Sequence, residues 1–229
     1  MRAFWSDPYL WIHAAGVAAV PLGLLVCLLG LAVGEPLLPV WLELGLIAIV
    51  GIAPIVWMQW QKPFYIFSLI AVAVKLERLT DDQRRILTLF KTRRSPVWIG
   101  LGALVMLVLL WQIYWIAPIA ADVTPFAVRS LGLVVAAIAF LASNLFLQVP
   151  LSVGRVLLAS DQEFGAAQPF AIEQIQQAFS VLGLKVNQIV PPMLPDEIAV
   201  TPTAPIVADP LNSVTDFLTP DADDPANSP

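Results

Sequence analysis

Histidine and cysteine each occur once in the 229 residues, and charged side chains make up only 13% of them. Cys27 has no second cysteine for a disulfide or a thiolate metal cluster, and deep in an apolar run it reads as a small core-facing hydrophobe. With His13 alone, no second imidazole can partner a nucleophile. There is also no Walker loop, G-x-S-x-G, H-E-x-x-H or Cys-x-x-Cys. These absences leave no constellation for an enzyme, and no cofactor is expected from the residues. No inverted repeat marks a transporter. The basic cluster is short, lies close to apolar runs and lacks interleaved aromatic platforms, so nucleic acid is not an expected partner.

What is abundant is hydrocarbon. Residues of hydrophobic type make up 59% of the chain and charged residues 13%, whereas soluble domains carry roughly 25% charged residues. Crossing a hydrocarbon layer of ~30 Å takes about 20 apolar residues as a helix. Four segments qualify, at about 9–33, 37–58, 97–117 and 131–149. In lipid each must bond its own backbone, so each is a helix. The first is too long for a signal-peptide core of ~7–15 residues and reads as a retained anchor. Trp5 and Trp11, Trp41, Trp57 and Trp60, and Trp98, Trp111 and Trp115 fall at the segment ends, where amphipathic indole rings favour the water boundary.

The net charge of −5 conceals an asymmetry along the chain. Residues 59–96 hold eight Lys/Arg against three acids, whereas 191–229 hold seven acids and no Lys or Arg. Basic loops stay in the cytoplasm, so the 59–96 loop and both termini are expected there. The expected fold is an all-α integral membrane protein with four transmembrane helices, a short interfacial or re-entrant helix, and a disordered C-terminal tail. Its parts are a four-span membrane domain over 1–158, an amphipathic helix-strand segment over 159–190, and an acidic Pro-rich tail over 191–229.

Within the basic loop, the apolar run from Phe64 to Val74 is too short to cross a bilayer and follows Pro63, which suits a first helical turn. It reads as a short helix lying in the interface or dipping among the spans, the alternative being a fifth, broken span. Thr80 to Gln83 fits a capping box for a second helix. Ile86, Leu87 and Phe90 share one of its faces, which can lie on the membrane while Arg84, Arg85, Lys91, Arg93 and Arg94 meet anionic lipid headgroups. From Pro169 to Leu182 apolar residues recur at helical spacing, Gly183 offers a left-handed stop, and Leu184 to Val190 reads as a strand. That pair is too small for its own core and must dock elsewhere. In the tail, Leu211, Val214, Phe217 and Leu218 would line one face of a helix folded on a partner.

Two intramembrane groups stand out. His13 is a candidate ligand for a haem or a chlorophyll magnesium. Glu43, the only acid within a span, is a candidate for handling protons or ions. Asn144 and Gln148, one turn apart, suit bonds between helices, and Gly16, Gly23, Gly30, Gly100, Gly102, Ala136 and Ala137 permit close approach.

The stretches FWSDPYLWIH (4–13), GIAPIVWMQWQKPFYIFSL (51–69) and LTDDQRRILTLFK (79–91) resemble the cyanobacterial low-complexity tail membrane proteins over roughly residues 3–190. The resemblance implies a cyanobacterial thylakoid or plasma membrane and carries over no catalytic residue. The expected function is a non-enzymatic anchor or scaffold. Its basic helix and acidic tail would face cytoplasmic-side protein partners, in the assembly or organisation of photosynthetic complexes. Membrane lipids are the other expected partners. The alternative is a subunit that binds pigment or haem, or handles ions, through His13 or Glu43.

Overall fold

The structure, a computed structural model, describes residues 3–69, 71–92 and 96–190. Four helices are long and apolar enough to cross a bilayer: Pro8–Leu31, Val40–Gln61, Pro96–Ala120 and Arg129–Leu157, here spans one to four. Span one consists of α1 (Pro8–Ala15) and α2 (Val20–Leu31), joined by a 3₁₀ turn at Gly16–Ala19. Pro21 has no N–H to offer the Val17 carbonyl; the Val20 N–H takes that oxygen and tightens the turn. Span two is α3 (Val40–Gln61), and span three is α5 (Pro96–Ile116) with a 3₁₀ extension at Ala117–Ala120. Their outward faces are apolar, and Trp41, Trp57, Trp60, Trp111 and Trp115 are each more than half exposed near the span ends.

Span four is α6 (Arg129–Leu157), which packs most extensively on spans one and two. Close approach needs missing side chains: a Cβ on Gly30 would lie 2.5 Å from the Gly132 carbonyl oxygen, and one on Gly132 2.3 Å from the Gly30 oxygen. The sequence places the end of this span before Pro150, but the helix runs through it to Leu157. Pro150 costs one backbone bond, while Val149, Val153 and Val156 continue the buried stripe on the same face. At 29 residues the helix measures about 43 Å against a ~30 Å hydrocarbon layer, so its last turns form a post beyond the bundle.

A cap is built around that post. It contains a hairpin of β1 (Ser68–Leu69) and β2 (Val72–Val74), then α4 (Asp81–Thr92), α7 (Asp161–Ala166), α8 (Ile172–Ala178) and β3 (Leu184–Val186). The sheet order is β1-β2-β3, with β2 antiparallel to β1 and parallel to β3, Val72 opposite Leu184 and Val74 opposite Val186. The helix expected over Phe64–Val74 is therefore a strand pair. Lys62 turns the chain extended at the end of α3, and the backbone of the hairpin finds partners in the 180–186 segment. The all-round apolarity does signal burial, since Tyr65, Ile66, Phe67 and Ala73 are wholly inaccessible. A run this short and apolar does not distinguish helix from strand by periodicity.

The expected capping box opens α4: Gln83 N–H donates to Thr80 Oγ1 and Thr80 N–H to Gln83 Oε1, both at 3.2 Å. A second box, Ser160 with Glu163, opens α7. The strand expected over Leu184 to Val190 is present only as Leu184–Val186, and the segment before it docks on α4, with Thr88 Oγ1 donating to Gln168 O at 2.7 Å and Phe170 N–H to Arg84 O at 3.2 Å. The helix expected over Pro169–Leu182 is shorter, because Phe179 is extended and Ser180 N–H donates to Pro63 O at 2.9 Å. The tail from residue 191 lies outside the described residues.

Candidate functional site

The end of the bundle away from the cap holds a buried polar centre to which all four spans contribute. Pro39 starts α3 and leaves Glu43 in its first turn, facing inward and wholly inaccessible. Glu43 Oε1 accepts from Leu37 N–H at 2.9 Å and from Arg129 Nε at 3.4 Å, while Oε2 accepts from Tyr114 Oη of span three at 3.3 Å and pairs with Arg129 Nη2. Arg129 Nη1 donates to the carbonyls of Leu31 and, at 3.0 Å, Val33, where span one ends. The Leu31 carbonyl is among the acceptors a helix leaves unbonded at its C-terminus, Val33 lies just past the C-cap Ala32, and a cation there also suits the helix dipole. Thr124 Oγ1 adds a bond to Leu29 O at 2.7 Å.

Both charges in this centre therefore face protein groups. The Glu43 oxygens have four donors, and the Arg129 nitrogens have acceptors on two other spans. Such an arrangement fixes the relative height of helices. Arg129 and Tyr114 belong to it although the sequence does not mark them. Arg129 reads as a loop charge just outside a span, and its only sequence signal is that it is the first cation after a long stretch without one.

His13 lies at the opposite end, half-buried beneath the hairpin, with its ring 5.2 Å from that of Phe64. Its Nδ1 donates to Tyr9 O at 2.8 Å, which leaves Nε2 as the ring's acceptor. His13 and Glu43 are thus not brought together. Among the described residues no group of three His, Cys, Asp or Glu side chains converges as a metal site.

The basic helix is tied into the cap. Arg84 pairs with Asp81, and its Nη1 reaches Phe170 O at 3.5 Å; Arg85 pairs with Asp82 at 3.2 Å; Lys91 stands over the Phe170 ring, 5.2 Å from its centroid. The apolar face expected to rest on the membrane is packed inside the protein, with Ile86, Leu87, Leu89 and Phe90 buried against the α6 post and the 164–179 segment. Arg93, Arg94, Leu211, Val214, Phe217 and Leu218 fall outside the described residues.

Where the cap meets span one, Asp7 caps α1. Its Oδ1 accepts from Tyr9 N–H at 2.9 Å and its Oδ2 from Gln83 Nε2 at 3.1 Å. Burial pushes the Asp7 carboxyl above its ordinary range, and the hydrogen bonds from Gln83 and the backbone offset only part of that. Trp5 Nε1 donates to Leu157 O at 3.1 Å, and Val190 N–H to Tyr9 Oη at 3.3 Å. A cleft of 440 Å³ opens beside these contacts, lined by Tyr9, Arg78, Thr80, Gln83, Asn187 and Gln188 among others.

No curated protein and no solved structure gives a significant match to the chain. A family model, low-complexity tail membrane protein-like, matches residues 6–191, which takes in every element from span one to β3. By that match the chain, with its apolar bundle closed by Glu43 and Arg129 and its cap of sheet and helices, belongs to the low-complexity tail membrane protein-like family.

Proposed function

We propose that this membrane protein is a non-enzymatic anchor whose cap holds the acidic tail at a fixed point on the cytoplasmic surface for binding by other proteins. The observation that carries this reading is the bond from Val190 N–H to Tyr9 Oη, which ties the last described residue to the first turn of span one. Val190 itself is thus held at a defined place at the bundle end, and 39 residues follow it in the sequence. Tethering of this kind raises a partner's local concentration without a new contact on the bundle. The cytoplasmic assignment rests on the eight Lys/Arg of residues 59–96. The family resemblance extends the proposal to a cyanobacterial thylakoid or plasma membrane and to the organisation of photosynthetic complexes there.

Deleting 191–229 tests the reading directly. Membrane insertion should persist, whereas cytoplasmic-side proteins recovered with the full chain after gentle solubilisation should be lost. Unchanged recovery would remove the tail as the contact.

The rival reading, a cofactor or ion-handling subunit, is weakened at Glu43, whose oxygens already have donors. At His13 one ring nitrogen is already committed to the Tyr9 carbonyl. A visible absorption band in the purified protein, lost in His13→Ala, would restore that reading.

A further inference from the structure

Most large apolar side chains of the cap are enclosed, Tyr65, Phe67, Ile175 and Phe179 at 0–1% exposure. Leu182 and Leu184, at 61% and 75%, are not. They flank Gly183, whose φ of +108° presses the chain against Ala71, itself exposed at the hairpin tip. The backbone on either side of them is pinned to span ends. Ser180 Oγ donates to Lys62 O at 2.7 Å and Ser180 N–H to Pro63 O at 2.9 Å, just past the last turn of span two. Ten residues on, Val190 N–H is held by Tyr9 Oη in the first turn of span one.

At no more than ~3.6 Å per residue, Leu182 lies within about 7 Å of Ser180, and Leu184 within about 14 Å. The interfacial layer on each side of the hydrocarbon is roughly 5–8 Å deep. The exposed Trp57 and Trp60 mark that layer on the last turns of span two. Lys185, next to Leu184, and Lys62, whose carbonyl accepts from Ser180, are both exposed, as suits a surface that meets anionic headgroups while its apolar side chains enter the acyl boundary.

We infer that the Leu182–Leu184 turn, with Ala71 and Lys185, is a membrane-contact tip that dips into the headgroup layer of the protein's own bilayer. It supplies the lipid contact that α4 does not make through its buried apolar face. This goes beyond the tethering proposal, which concerns the tail, and can stand or fall without it.

The test uses the full chain in nanodiscs of mixed zwitterionic and anionic lipid, with an environment-sensitive fluorophore on Leu184→Cys. Cys27 is wholly inaccessible, so unsubstituted protein should take up no label. A probe on Asp161→Cys, at an exposed cap position, is the aqueous reference. At position 184 emission should shift to the blue, iodide quenching should fall well below that at 161, and lipids carrying a quencher near the headgroup should dim the probe. A second label on Leu182→Cys should behave alike, which separates the result from damage by one substitution. Full iodide quenching at both leucine positions would overturn the inference. So would protection from iodide without lipid quenching, which would mean that protein covers the tip.

Discussion

Arg129, at the start of span four, reaches across to Glu43 on span two and pairs with it as a buried pair, the carboxylate wholly inaccessible and the guanidinium side chain 7% exposed. The same guanidinium holds the end of span one, and the same carboxylate holds Tyr114 of span three. A buried pair of this kind adds little over a well-packed apolar pair, but removing one partner leaves a lone buried charge at a cost of about 3–5 kcal/mol. Glu43→Gln should therefore lower the thermal midpoint of the solubilised protein sharply. Adding Arg129→Met should recover most of the loss, because the stranded cation goes too. A double variant no more stable than the single one would mean that the pair is uncoupled.

The small-residue contact of spans one and four gives a second prediction. A methyl group on Gly30 would meet backbone, not a side chain that can swing aside, so the helices must part. Overpacking of this sort typically costs about 1–3 kcal/mol. Gly30→Ala should destabilise the bundle, whereas Gly45→Ala and Gly100→Ala, whose added Cβ atoms meet nothing within 4 Å, should leave melting in detergent almost unchanged. Equal melting for all three would show that the approach of spans one and four does not depend on the missing side chain.

These two features show what the sequence could convey. Span positions follow from length and apolarity, and the α4 capping box from residue types at fixed spacing. Which glycines matter does not follow, because Gly30 faces Gly132 while Gly100 faces open space, and their local sequences do not distinguish them. The Glu43–Arg129 pairing joins residues far apart in the chain, so it depends on helix register that no local pattern records. The hairpin was obscured for a related reason. Its strands are defined by a partner at Leu184–Val186, while the run itself carries no alternation.

Asp7 predicts a pH dependence. The ordinary value for its carboxyl is 3.8, and burial in the cap raises it in the fold. A raised carboxyl binds its proton more tightly folded than unfolded, so ionisation weakens the fold as pH rises from 3.8 through the raised value. Below 3.8 that destabilisation is absent. Asp7→Asn keeps an acceptor for the Tyr9 N–H but cannot ionise. Comparing thermal midpoints of the two proteins across the acid range cancels the carboxylates they share. Relative to the variant, the wild-type chain should gain stability on acidification, and parallel curves would rule the assignment out.

Gly183 joins the hairpin to the returning chain. Its φ of +108° is a conformation that side chains on L-residues rarely adopt, and a Cβ there would sit 2.4 Å from the Ala71 carbonyl carbon and oxygen. The two effects act together, since relaxing φ would move Leu184 N–H away from the Ala71 carbonyl, to which it donates at 2.7 Å. Backbone strain at such a position costs on the order of 1–3 kcal/mol. Gly183→Val should loosen β2–β3 pairing and expose the 180–190 segment, while the bundle, which does not use this turn, stays inserted. Hydrogen exchange on the reconstituted protein separates the two parts. Amides of Lys75 and Leu184, which bond across this junction, should lose protection, and those of α5 should keep it. Faster exchange in α5 as well would show that the cap and the spans unfold as one unit, with the α6 post transmitting the damage between them.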